Sequence, residues 1–486
     1  MTHFKTKYLF GHVSIDVCVC VCVCSIIIIF KVHSNRKMAK SSLRIVFYTT
    51  ELVGPQNACI GFAQTLNDRG HDVSFFTTTE SMPKYRKFGF KCLELKNDDD
   101  EKSAPDDMDS VSKFVKKLAK YGFLSDLTPL KKLRALGRFF EETFADASRK
   151  FNSQIKQYLQ NEHFDLIIID CEIFPSSLIA VNRPWIYLFC SHPIGLFQSD
   201  KLPPFISDFA TNSDPKTWEI FREELERIFY SIVRNEQRKL FEEFGLPSTK
   251  SDDQFIMLSP YLNLYQYPKE LDYDDVIDID RNRFFGVDTF CHFEMDKDGQ
   301  QFEIPFRDRM KSDDKLVYLS LGSMGSGSVE LMKRLVRILA KTKHWYLVSK
   351  GKLHDQYELA ANMWGDIYVP QTRILSIVDA AILHGGNNGF TEALYHGKPV
   401  LIMPMFYDQY HNGVRVVEKK IGLTLNPFRF EDHELVEAID RLLSDDQFRN
   451  RAEKIAKNIS ERRSKEEACK KIEKIVEEFV DSKQTK

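Results

Sequence analysis

The chain has 486 residues, 43% of them apolar, with 38 phenylalanines, 68 basic and 70 acidic side chains and a formal charge of −2. That length makes two or three domains and a large core. The balanced charge excludes a global basic field for nucleic acid, and 22 glycines with 18 prolines exclude a collagen-like or disordered chain. Four of the ten cysteines lie in a Val-Cys repeat at 17–24. The other six stand singly, with no CxxC pair and no zinc-ligand spacing, so no metal site is expected and a reducing compartment fits.

In chain order, residues 17–30 are almost continuously apolar. Asp16 limits that run to about 14 residues, short of the ~20 a membrane-spanning helix needs. Alternating Val and Cys is also what a translated GTGTGT repeat gives. Residues 1–37 are therefore expected to be an extension outside a working protein that begins at Met38, the alternative being a targeting or anchoring segment. No second apolar run of membrane length follows, so stable membrane insertion is not expected and a cytoplasmic location is.

From 43 the pattern is strand (43–49), loop (51–58), helix (59–66) and strand (71–79). The acidic stretch 98–109 reads as a solvated loop, and 110–160 as charged helix. Strands follow at 165–170 and 184–189. A second half begins near Lys315, with strand 315–321, a glycine-rich turn at 322–327 and a helix at 329–341. The apolar positions 331, 332, 335, 336, 338 and 339 of that helix share one face. Strands 344–349, 366–369, 380–383 and 399–403 complete it. Alternating strands and helices predict parallel α/β sheets. The expected divisions are 38–290, a linker at 291–312, a second domain at 313–460, and a C-terminal helix at 461–486 packing back on the first domain.

The most informative stretch runs from Tyr368-Val369-Pro370-Gln371 through His384-Gly385-Gly386-Asn387-Asn388-Gly389-Phe390-Thr391-Glu392 to Gly397-Lys398-Pro399 and Asp408-Gln409. His384 and its glycines end a buried strand and open a helix, where close-approaching N–H groups favour an anion such as a diphosphate. Glu392 lies one turn beyond Asn388 and suits paired ribose hydroxyls. The stretch is not a GxxxxGK[ST] loop, so nucleotide triphosphate hydrolysis is not indicated.

This stretch resembles the donor-binding signature of the family-1 UDP-glycosyltransferases, enzymes of the GT-B fold with two Rossmann-like, doubly wound parallel-sheet domains facing across a cleft. The resemblance implies a UDP-sugar as co-substrate, with no cofactor beyond it. Gln371 would hold the uracil through its backbone and Tyr368 would stack on the ring, where the family usually has Trp. His384, Gly386, Asn388, Gly389 and Ser323 would hold the diphosphate. The family commonly has Ser at 389. Glu392 would bind the ribose, and Asp408 with Gln409 the sugar hydroxyls, Gln409 leaning toward UDP-glucose.

In the family, a histidine after the first strand is the general base and a nearby aspartate orients it. Here the histidine position is Pro55, which cannot take a proton, while Asp170 keeps the aspartate position. His192 is the candidate substitute base. The implied reaction is inverting transfer of a hexose to a small lipophilic acceptor. The alternatives are a catalytically silent relative that sequesters lipophilic ligand or UDP-sugar, and a sugar-nucleotide epimerase on the same fold.

Overall fold

The computed structural model describes residues 42–96, 110–140, 142, 146–197, 199–246, 256–291 and 302–484, together with the backbone of three N-terminal strands. The acidic stretch, residues 292–301 of the expected linker and Met38 lie outside the described residues. The chain forms two compact units, Met1–Leu43 and Arg44–Lys486. In the first, β1 (Thr2–Phe10), β2 (Val13–Cys22) and β3 (Ser25–Ser34) make an antiparallel sheet in the order β1-β2-β3. The Val- and Ile-rich run is thus strand, as β-branched residues favour.

The second unit holds two all-parallel sheets. One contains β4 (Arg44–Thr49), β5 (Asp72–Thr78), β6 (Lys91–Leu95), β7 (Leu166–Asp170), β8 (Trp185–Phe189), β9 (Leu262–Gln266) and β10 (Phe284–Val287). Their order is β10-β9-β8-β7-β4-β5-β6. The other contains β11 (Leu316–Ser320), β12 (Trp345–Ser349), β13 (Met363–Asp366), β14 (Ala380–Leu383), β15 (Val400–Ile402) and β16 (Gly422–Thr424), in the order β13-β12-β11-β14-β15-β16. Strands of parallel sheets are covered on both faces and read as unbroken apolar runs. Leu166, Ile167, Ile168 and Ile169 accordingly have no exposed surface, nor do Ala380, Ala381 and Ile382. The helix Val329–Leu339 buries the anticipated face: Leu331, Met332, Leu335, Val336, Ile338 and Leu339.

Three local expectations change. The first long helix is Val53–Asp68, so most of the expected loop at 51–58 is helix. Its early start costs little, because Pro55 is the third helical residue, where no N–H is needed. The strand expected at 366–369 lies earlier, at Met363–Asp366. Strands β6, β9, β10 and β16 were not anticipated. Of these, β9 carries Asn263 and Gln266, both fully buried and hydrogen-bonded, which breaks its apolar pattern.

The C-terminal helix Ser464–Gln484 returns to the first sheet's unit. Glu473 accepts from Arg69 Nε at 2.8 Å and lies 3.2 Å from His71 Nε2, and Ser464 Oγ donates to Asp288 at 2.7 Å. No helix among the described residues is long and apolar enough to cross a membrane.

Candidate active site

Each sheet has one place where strand order reverses, between β4 and β7 in the first and between β11 and β14 in the second. Ligands of open α/β sheets bind outside the carboxyl ends of the strands at such points. Here a cavity of about 310 Å³ is lined by residues from both.

On the second sheet, Ser320 ends β11 beside Leu383, and His384 follows β14 directly. A Cβ on Gly322 would stand 2.6 Å from His384 Cε1, and one on Gly386 would stand 2.4 Å from Nε2. The two glycines therefore seat the imidazole. Its Nδ1 is buried without a partner, and burial lowers its pKa to about 4, so the ring is neutral near pH 7. Gly386 precedes the helix Asn387–Tyr395 without a side-chain cap, and the cavity meets that helix at its N-terminus.

One turn along, Glu392 accepts from Gln371 Nε2, and Gln371 Oε1 accepts from the Tyr318 hydroxyl at 3.0 Å. Burial pushes Glu392 up to about 7. Asp408 Oδ2 accepts from Asn387 N at 3.2 Å, and burial pushes this acid up to about 7 as well. Gln409 Oε1 accepts from the backbone N–H of Met405 at 2.8 Å and of Phe406 at 3.3 Å, fixing the amide against its own turn. Between these segments Tyr407 holds a φ of +59°, a strained value for a residue with a side chain.

On the first sheet, Thr49 at the end of β4 pairs with Asp170 at the end of β7. Asp170 accepts from the Cys59 thiol at 3.7 Å, and burial raises it to about 8. Glu172 Oε1 accepts from the Tyr407 hydroxyl at 3.0 Å, and burial raises it too. Phe114 and Leu118 from the helix Ser110–Lys120, Leu136, Phe139 and Phe140 from the helix Pro129–Phe140, and Phe123 from the turn between them supply an apolar wall. Asn387 Nδ2 lies 3.1 Å from the carbonyls of Cys190 and Ser191 and 2.7 Å from that of Gln266, and Asn388 Nδ2 donates to Gly54 O at 2.6 Å. Among the described residues, the lining holds Asp170, Glu172, Glu392 and Asp408 but no lysine or arginine.

Residues 282–463 match the family model described as "UDP-glucoronosyl and UDP-glucosyl transferase". The NDP-glycosyltransferase YjiC of Bacillus subtilis (strain 168) is 24% identical over 429 residues, spanning 86% of this chain and 94% of that protein. The human UDP-glucuronosyltransferase 2B28 is 24% identical over 356 residues, 64% of this chain and 62% of that protein. Among solved structures, the glycotransferase of kitacinnamycin superposes with a TM-score of 0.63 at 17% identity, covering 89% of this chain and 99% of that one. Residues 282–463 thus match the UDP-glycosyltransferase family, and the chain is similar to a glycosyltransferase over most of its length. Its two parallel-sheet domains are the GT-B fold.

The cavity gathers Pro55, Asp170, Ser323, Gln371, His384, Gly386, Asn388, Gly389, Glu392, Asp408 and Gln409. Two anticipated residues are not among its lining. Tyr368 is 58% exposed, with Lys352 Nζ 5.7 Å from its ring centroid. His192 has no exposed surface: its Nε2 lies 3.1 Å from the Tyr267 hydroxyl and its ring stacks on His411 at 5.1 Å. The expectation of a substitute base there is corrected, since burial in this aromatic cluster also lowers its basicity well below that of an ordinary histidine.

Sequence reasoning missed Glu172, Tyr407 and the bridging role of Asn387. Glu172 lies two residues past Asp170, where the chain has already left the strand, and that is its only signal. Tyr407 directly precedes the Asp408-Gln409 pair, but nothing in its identity foretells a hydroxyl that reaches the other sheet's cavity wall.

Proposed function

We propose that this chain transfers a hexose, glucose first, from a UDP-sugar to a small lipophilic acceptor with inversion at the anomeric carbon. The observation that carries the reading is the single cavity shared by both switch points, with a polar anion-suited end and an apolar wall. In this assignment Gln371 and Tyr368 hold the uracil and Glu392 the ribose. The helix N-terminus, where Asp408 occupies only the Asn387 N–H, takes the diphosphate, with His384, Ser323, Asn388 and Gly389 around it. The unpartnered Nδ1 of His384 supports this, because a buried polar atom is expected to find a partner when the ligand binds. Asp408 and Gln409 meet the sugar hydroxyls, and the phenylalanine wall takes the acceptor body.

Pro55 removes the usual base, and a positioned base is typically worth 10²–10⁴-fold in rate for a hydroxyl nucleophile. The reading therefore favours nitrogen, sulfur or acidic phenolic acceptors over simple alcohols. It includes a reducing, cytoplasmic setting, supported by the buried thiols Cys59, Cys171 and Cys469.

Mass-spectrometric screening of an acceptor panel with UDP-glucose tests it. Acceptor-dependent UDP release with a product heavier by one hexosyl unit is expected. A second reading, a silent binder of lipophilic ligand or UDP-sugar, is favoured by Pro55 alone. It prevails if UDP binds and no panel member is modified.

A further inference from the structure

At the floor of the cavity, three neighbouring strands of the first sheet, β8, β7 and β4, end side by side. The residues just beyond or at those ends that line the cavity include Cys190, Ser191, Asp170 and Thr50. The hydroxyls of Ser191 and Thr50 are buried and have no hydrogen-bond partner, and Ser191 is only 9% exposed. Asp170 is 6% exposed, and it accepts from the weak thiol of Cys59 at 3.7 Å and from the thiol and backbone N–H of Cys190. Proline at 55 offers it no donor, and a second carboxyl, Glu172, lies on the same side of the cavity against the Tyr407 hydroxyl. The result is a carboxyl and two hydroxyls, all able to accept, beside a phenylalanine wall. No lysine or arginine lines this cavity among the described residues.

From this geometry, and resting on the transferase reading above, we infer that the acceptor is a lipophilic primary amine that enters uncharged, takes up the proton that buried Asp170 holds, and is bound as its ammonium ion by Asp170, Thr50 and Ser191, with Asp170 recovering the proton before the attack. An ammonium group has three N–H donors for these three acceptors, whereas an anion would meet only like charge.

The chemistry balances without a further reactant. One N–H bond breaks as Asp170 gains an O–H bond, leaving the amine with a free electron pair. That pair forms the N–C bond at the anomeric carbon while the C–O bond to the diphosphate breaks, its electrons leaving on UDP. The product nitrogen loses its extra proton to solvent on release.

The test compares 2-(2-naphthyl)ethylamine with 2-(2-naphthyl)ethanol and 2-naphthol, measuring calorimetric binding to the UDP-loaded full chain and transfer from UDP-glucose. The wild type is expected to bind and glucosylate the amine at least tenfold better than the alcohol. Asp170→Asn is expected to weaken amine binding tenfold or more, with naphthol binding and UDP affinity changed less than threefold, which also shows that the variant is folded. Thr50→Val, a second and milder variant, is expected to weaken amine binding threefold or more. Equal binding of amine and alcohol by the wild type, or an equal loss for amine and naphthol in Asp170→Asn, overturns the inference. Amine binding that depends on Asp170 without any transfer supports the ammonium site and overturns the transferase reading instead.

Discussion

At the scale of single residues, burial governs the acids of the cavity. Asp170 titrates at about 8 in the native chain and near 4 when unfolded, so folding retains a proton that the unfolded chain gives up. The stability this contributes is fully present below pH ~4 and is lost as pH rises toward 8. Asp408 and Glu392, each raised to about 7, act in the same direction. His384 and His411, lowered to about 4 and about 3, act oppositely, and their contribution is lost as pH falls below the ordinary histidine range. Asp170→Asn is therefore expected to leave stability unchanged at pH 4 and to raise it by on the order of 5 kcal/mol at pH 8. Urea unfolding at the two pH values checks this, and the same difference at both would contradict it. The donor end is tested separately. His384→Ala and Glu392→Ala each remove a polar partner from an enclosed ligand and should weaken UDP binding by more than ~1 kcal/mol by calorimetry. Unchanged UDP affinity in both would remove the donor-site assignment.

At the scale of elements, the helix Val53–Asp68 decides what Pro55 means. Its third position needs no N–H, so proline is tolerated there, and so is any residue that restores the N–H. Pro55→His is thus expected to fold with a stability change under ~1 kcal/mol. It should raise O-glucosylation of phenols and alcohols while leaving UDP affinity nearly unchanged, since the donor residues lie on the other sheet. A calorimetric and product assay showing no gain on hydroxyl acceptors would mean the helix start does not present residue 55 to the acceptor. The same helix shows what was legible in sequence and what was not. Apolar periodicity located β4, β7, β8, β11, β12, β14 and the face of Val329–Leu339, because strands covered on both sides and one-sided helices leave strong patterns. It did not locate the helix start, since Gly54 and Pro55 read locally as loop and only the following turns show otherwise. Strand β9 escaped because Asn263 and Gln266 are buried polar residues whose partners are distant in sequence. The donor residues could be read because they are contiguous in the chain. Glu172 and Tyr407 could not, because they meet across 235 positions.

At the scale of the whole molecule, the unit Arg44–Lys486 has its own cores and site. A chain started at Met38 is expected to be monodisperse and as active as the full chain, as gel filtration and UDP release would show. Loss of either property would give residues 1–37 a role in the working protein. The two large sheets are held in register around the cavity by Asn387 in particular. It is 3% exposed, its amide lies within hydrogen-bond reach of three strand-end carbonyls of the first domain, and its Oδ1 accepts from Asn412 Nδ2 at 3.3 Å. Alanine there would leave buried carbonyls without donors, at about 1–3 kcal/mol. Asn388 makes one such bridge, to Gly54, and is only half-buried, so water can replace it. Asn388→Ala should accordingly cost under ~1 kcal/mol. Urea unfolding of the two variants side by side tests the ranking. Equal losses, or a larger loss at Asn388, would show that the cavity's two walls are held together elsewhere, by contacts such as Lys132 Nζ to Met405 O at 2.6 Å.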